Sequence, residues 1–337
     1  MRHDLPGGII TTQPGTSLQA AIDRAAEGAV LWLAPGAWRE NILIKRSLTL
    51  RGLGGGRSRI IGREGGYPVV RILAPAGSEG TIVRLEGLEI SGAEGDCADW
   101  CRGVCADGLL IQGPAGVTLT GSRIVGNSWS GISLWGSARV VISSSTIAKN
   151  GHYGLWLWNS AYARVSDSLV LENGLGIENS SDPERDGIAL RDRAWATIAR
   201  STLAGNGHYG LWLADEARAR LSSSTIGGNR QGGVWLRDGA QANIADSLIS
   251  ENGEGIQLAG RASATLVRNR ITRNRGHGVL LYHRPCYRAA EAFAGRISGE
   301  INAIPGPGEP DGNERGDVCP AELGFLKGPC AGGENHE

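Results

Sequence analysis

Asn150-Gly151-His152-Tyr153-Gly154-Leu155-Trp156-Leu157 returns 56 residues later as Asn206-Gly207-His208-Tyr209-Gly210-Leu211-Trp212-Leu213. These octets belong to a longer series. Asn127, Asn150, Asn173, Asn206, Asn229, Asn252 and Asn274 are spaced by 23, 23, 33, 23, 23 and 22 residues. A period that regular marks one structural unit stacked on itself. A glycine follows most of the asparagines and leads an apolar pair, such as Leu155 and Leu157 or Leu211 and Leu213. The i, i+2 spacing puts both members of a pair on one face of a strand. Two further apolar columns run through Ile142, Val165 and Ile198, and through Ile147, Val170 and Leu203. Between them lies a serine column (Ser122, Ser145, Ser168, Ser201, Ser224, Ser247) that ends at Asn269, and an alanine column from Ala138 to Ala262 marks a third corner.

Each unit is therefore three short strands and three corners, with no room for a helix. Stacking pairs every strand with its copy in the next coil. Parallel crossovers are right-handed almost without exception, so the expected fold is an all-β, right-handed parallel β-helix of about ten coils. The Asn and Ser columns are read as structural, bonding along the stack to satisfy corner backbone groups that water cannot reach.

The expected boundaries are an N-terminal segment with a capping helix at 1–29, the β-helix at 30–285, and an irregular Gly/Pro-rich cap at 286–337. Residues 17–26 pattern as a short amphipathic helix that would close the open solenoid end. Lys+Arg and Asp+Glu are balanced at 34 each, with no basic run, which argues against a nucleic-acid partner. No stretch is apolar enough for a membrane span. The opening Met1-Arg2-His3-Asp4 carries no hydrophobic signal region, and a monomer is expected.

Pro35-Gly36-Ala37-Trp38-Arg39-Glu40-Asn41, followed by Ile42 and Ile44, resembles the first coil of the pectate-lyase-like superfamily. The Asn-x-x-x-Gly-Ile-x-Leu repeats are similar to its NosD-type, carbohydrate-binding and sugar-hydrolase branch. That resemblance implies an extracytoplasmic protein acting on or binding polysaccharide. The superfamily includes lyases, esterases, hydrolases and epimerases, and its substrate groove lies on the glycine-led sheet. Fold alone does not choose among these activities.

Outward positions of the glycine-led strands hold Trp135, Trp156, Trp158, Trp212 and Trp235, with Arg191 and Arg237 among them. Five indoles facing solvent would exceed the usual apolar surface of a soluble monomer. Trp156 and Trp212, two coils apart, would stand ~10 Å from each other, a spacing that suits sugar rings. The arginines can make bidentate contacts to uronate carboxylates. Mutual stacking of the indoles and a protein interface are the competing readings. The twin octets set His152, Tyr153, His208 and Tyr209 on the rim of this sheet, where an imidazole and a phenol could serve as base and acid in β-elimination. Solvated rim residues would look the same in sequence.

Two insertions fall at the corner before the glycine-led strand. The excess within residues 174–186 carries Asp182, Glu184 and Asp186, which could support hydrolysis as paired carboxylates or simply be solvated. Asp182-Pro183-Glu184 resembles the Asp-Pro-His motif of mannuronan epimerases but lacks its histidine. The other insertion, 93–107, carries Cys97, Cys101 and Cys105. The spacing is not that of a zinc knuckle and no metal-ligand set is read from it. Together with Cys286, Cys319 and Cys330, these cysteines are expected to form disulfides in an oxidising compartment, with pairing left open. No cofactor is expected; Asp96, Asp99 and Asp107 are a candidate calcium set, weighed against simple solvation.

Overall fold

The structure, a computed structural model, describes residues 9–74, 80–99, 103–175, 185–282 and 293–319, with Leu323, Leu326 and Lys327. Three parallel sheets of twelve, eleven and ten strands wrap one apolar core. Successive strands visit the three sheets in turn, and each pairs in parallel with its copy one coil away: Leu155–Leu157 with Ile188–Leu190, then with Tyr209–Leu213, then with Gly232–Leu236. The expected parallel β-helix with three strands per coil is the observed fold. The glycine-led strands build the eleven-stranded sheet, and their first and third residues point inward and are fully buried, as at Leu155 and Leu157.

The asparagine column is a continuous ladder. The backbone N–H and side-chain amide of Asn206 both donate to Oδ1 of Asn229, at 3.0 and 2.9 Å, and Asn173 donates in the same way to Asn206. The serines form a second ladder, each hydroxyl accepting the backbone N–H of its counterpart in the preceding coil, as in Ser201 N–H to Ser224 Oγ at 3.1 Å. The leading glycine follows from how closely the coils approach. A Cβ on Gly210 would stand 2.5 Å from Cγ2 of Ile226 and 2.8 Å from Nδ2 of Asn229.

Both ends depart from the expected boundaries. The strand Ile9–Thr12 precedes the helix and pairs with Ala29–Leu33, so coil geometry begins within the segment assigned to the cap. The helix itself spans Leu18–Arg24, capped by Ser17, and buries Leu18, Ala21 and Ile22. At the other end, Arg296–Glu300 and Gly316–Cys319 pair in parallel with the last regular strands. Asn302 and Asn313 extend the two polar ladders. The coil pattern therefore continues past residue 285, with longer corners.

Candidate functional site

Register on the eleven-stranded sheet aligns Ser133, Trp156, Ala189, Trp212, Trp235 and Gln257 in one outward column. The indoles are not equally open. Trp156 is only 2% exposed and, with Tyr153 and Ala189, forms a small apolar cluster outside the main core. Tyr153 stacks on Trp156 at 5.4 Å, while Trp135 and Trp158 meet it edge-on at 5.3 and 5.1 Å. The small neighbours Ser133 and Ala189 leave room for these larger rings to fold over it. The expectation that Trp156 faces solvent is thus corrected. Trp135 and Trp158 are half-buried and stack on each other at 5.1 Å.

Arg191 links this cluster to the next indole. Its guanidinium lies 5.5 Å from the ring centre of Trp158 and 5.7 Å from that of Trp212, and its Nε is 3.3 Å from Asp215. Trp235 lies against Tyr209 at 4.9 Å, stacks on Tyr282 at 6.1 Å, and has Arg237 5.9 Å from its ring centre. Arg237 also sits 3.1 Å from Asp238.

The twin octets have different surroundings. His152 is buried and stacks on Trp129 at 3.7 Å. His208 is half-buried and lies edge-on to Tyr209. The difference arises one coil earlier, where the backbone partner of His152 is Trp129 and that of His208 is Arg185. The two pairs are therefore not equivalent: His152 and Tyr153 are buried, contrary to the expectation of open rim positions, whereas His208 is half-buried. Tyr209 is also buried, and its backbone N–H donates to the Asp186 carboxylate at 2.9 Å. Burial raises the pKa of its hydroxyl strongly, helped by the nearby Tyr282, Asp186 and Glu254 and only partly offset by a hydrogen bond with Gln257. Tyr209 is held as a neutral phenol, a donor and not a base.

A cleft of about 380 Å³ opens here, lined by Tyr153, Asp186, Arg191, His208, Tyr209, Trp212, Gln231, Trp235 and Arg237. A second hollow of about 330 Å³ shares Tyr209 and Gln231 and extends along the axis past Glu254, Arg275 and Tyr282. The cleft gathers one carboxylate, one imidazole, two phenols, two guanidinium groups and two indoles. His152, Trp135, Trp156 and Trp158 lie outside its lining, and Asp182 and Glu184 fall outside the described residues.

Sequence reading named Asp186 as a catalytic candidate and Asp107 as a calcium candidate, but it missed Glu254 and the backbone role that all three share immediately before a leading glycine. Asp107, Asp186 and Glu254 each accept the backbone N–H of the equivalent residue one coil later: Ser130, Tyr209 and His277. Their place in the repeat was the available signal. Burial pushes the Asp107 carboxyl up to about 7, although the Ser130 N–H favours its ionised form. Among the described residues no group of three or more His, Cys, Asp or Glu gathers to hold a metal.

Cys97 and Cys105 form a disulfide across a two-stranded antiparallel ribbon, Cys97–Asp99 with Val104–Cys105. Cys319 is also disulfide-bonded. Cys101, Cys286 and Cys330 lie outside the described residues. No helix among the described residues is long and apolar enough to cross a membrane.

Comparison with known families matches residues 78–183 and 177–289 to the right handed beta helix region, together more than half the chain. The chain belongs to this family. The match agrees with the pectate-lyase-like resemblance at the level of fold and does not single out the NosD-type branch. Comparison with curated proteins gives no match. Among solved structures, pectate lyase Pel9A superposes with a TM-score of 0.59 at 13% identity, covering 96% of this chain and 81% of its own. An alginate lyase from Paenibacillus sp. str. FPU-7 gives 0.53 at 13% identity, covering 88% and 99%. A variant of the periplasmic alginate epimerase AlgG gives 0.55 at 16% identity, covering 88% and 69%. At these identities the likeness is one of fold, a right-handed β-helix on which polysaccharide lyases and an epimerase are built.

Proposed function

We propose that this β-helix protein binds an acidic polysaccharide along its eleven-stranded sheet and acts on it by proton transfer in the cleft around His208 and Tyr209. The observation that carries the reading is the convergence of His208, Tyr209 and Asp186 between Trp212 and Trp235, with Arg191 and Arg237 alongside. Half-buried indoles offer flat faces to sugar rings, and a guanidinium beside a uronate carboxylate stabilises the charge that develops when the C5 proton leaves. Imidazole is the side chain suited to take that proton near neutrality. The neutral phenol of Tyr209 can donate to the departing glycosidic oxygen, giving elimination, or protonate C5 from the other face, giving epimerisation. Asp186 fixes the backbone from which Tyr209 projects. The Cys97–Cys105 disulfide supports an oxidising, extracytoplasmic setting.

A second reading, a non-catalytic surface scaffold or protein-binding solenoid, is favoured by the indoles Trp135, Trp156 and Trp158, which already satisfy one another. A degradation screen over polygalacturonate, alginate and neutral glycans separates the two. Unsaturated uronate ends or altered C5 configuration, lost in both His208→Ala and Tyr209→Phe, are expected. New saturated reducing ends would instead point to hydrolysis. Binding without turnover would remove the enzymatic reading, and absence of binding to any glycan would leave the scaffold.

A further inference from the structure

The twelve-stranded sheet has an outer face of its own, and over its central coils the outward charges are basic. From Arg139–Ser143 to Ser263–Val267, no acidic residue occupies an outward strand position. Arg139, Arg164, Arg218 and Arg220 do, and Arg296 joins them from the adjoining strand Arg296–Glu300, whose last residue, Glu300, also faces out at the opposite strand end. All five are exposed, and none forms an ion pair among the described residues. Acids of these coils stand at the corners, and apart from Glu216 the following are engaged there. Asp192, Asp215 and Asp238 cap backbone N–H groups along one edge, while Asp167 and Asp246 pair with Arg200 and Arg268 along the other.

This face carries a groove of about 370 Å³. Trp195 forms one end, 43% exposed, with Tyr162 edge-on at 5.5 Å and Arg220 6.0 Å from its ring centre. Arg218 and Arg220 follow in the next coil, and Arg296 closes the far end three coils beyond Arg218, a span of ~14 Å. Between them the surface is neutral and hydrogen-bonding, with Gln241, Asn243 and Thr265 facing out.

We infer that this groove is a second glycan site, for a segment of acidic polysaccharide bearing carboxylate or sulfate groups. Trp195 stacks on a sugar ring, the amide and hydroxyl side chains bond ring hydroxyls, and the arginines at each end take the anionic groups. A hydroxyl-rich polyanion fits a neutral polar floor between cationic ends. A nucleic acid would call for several stacking rings in series, whereas this groove has one. The site lies on a different sheet from the His208 cleft, so the two can be disabled separately.

The test measures binding of labelled oligogalacturonate and chondroitin sulfate to full-length protein carrying Trp212→Ala, at low and at elevated salt. At least one of these glycans should remain bound. Adding Trp195→Ala, or Arg218→Gln with Arg220→Gln, should weaken that residual binding by about tenfold or more. The arginine pair should also flatten its salt dependence. All these side chains face solvent, and an unchanged circular dichroism spectrum verifies folding of each variant. Absence of residual binding of both glycans, or residual binding unaffected by either set of substitutions, overturns the proposal. So does tighter binding of poly(dT) than of either glycan in this groove. Loss of turnover in His208→Ala with the residual binding intact would bear on the cleft alone.

Discussion

Asp107 is a carboxyl group sealed inside a corner, and its burial makes stability depend on pH. Its folded pKa is displaced upward from 3.8 to about 7. As pH rises between those values, the unfolded chain gives up this proton while the folded one keeps it. The contribution to stability therefore falls through that window, by roughly 1.4 kcal/mol per unit of displacement, and levels off above about 7. Asp107→Asn retains an oxygen to accept the Ser130 N–H and should remove that slope, read as unfolding free energy against pH. A variant with the same slope as the parent would mean that Asp107 titrates normally. The tryptophans separate in a comparable way. Trp156→Ala empties a buried site and should cost about 3 kcal/mol or more of stability. Trp212→Ala, at a half-buried position, should cost less than that and weaken glycan binding instead. Equal losses in chemical denaturation would contradict the burial difference between them.

At the scale of the element, the asparagine ladder ties each corner to the next. Asn206 accepts two hydrogen bonds from Asn173 and donates two to Asn229, all among buried atoms. Asn206→Ala leaves a buried N–H and amide of Asn173 without their acceptor, at about 1–3 kcal/mol for each unsatisfied group. A drop of several kcal/mol in unfolding free energy is expected, far larger than for an exposed asparagine such as Asn159. The leading glycines impose a matching constraint, since no side chain fits where Asn229 and Ile226 approach Gly210. Repeat and packing are two views of one requirement, which is why these columns could be read in advance.

For the molecule as a whole, the open ends are the hazard, because an unpaired strand edge invites another chain. The helix Leu18–Arg24 meets this at the N-terminal end through one side chain. Gln19 accepts the Leu43 N–H at 2.7 Å and donates to the Leu43 carbonyl at 3.0 Å, so its amide imitates a missing strand. Glu40 anchors the helix start by accepting the N–H groups of Leu18 and Gln19 at 2.9 and 3.2 Å. Gln19→Ala should reopen this edge, lowering the melting temperature by a few degrees and increasing light scattering on heating. Unchanged scattering and melting would show that the helix body alone protects the end.

The period, the three-strand coil, the inward columns and the structural role of Asn and Ser were all determined by sequence. Every coil must bury the same face and satisfy the same corner, so each copy restates the requirement. The cleft was legible in part, because His208, Tyr209, Trp212, Trp235, Arg191 and Arg237 stand at outward or rim positions of that repeat. Tertiary structure alone decided which copies are open. Trp129 covers His152, and Tyr153, Trp135 and Trp158 cover Trp156, through contacts with rings one coil away or across a corner. The last coil was equally hidden. Its ladder asparagines lie 33 and 39 residues beyond Asn269 and Asn274, and only hydrogen bonding between coils keeps their register once the spacing in the chain is lost.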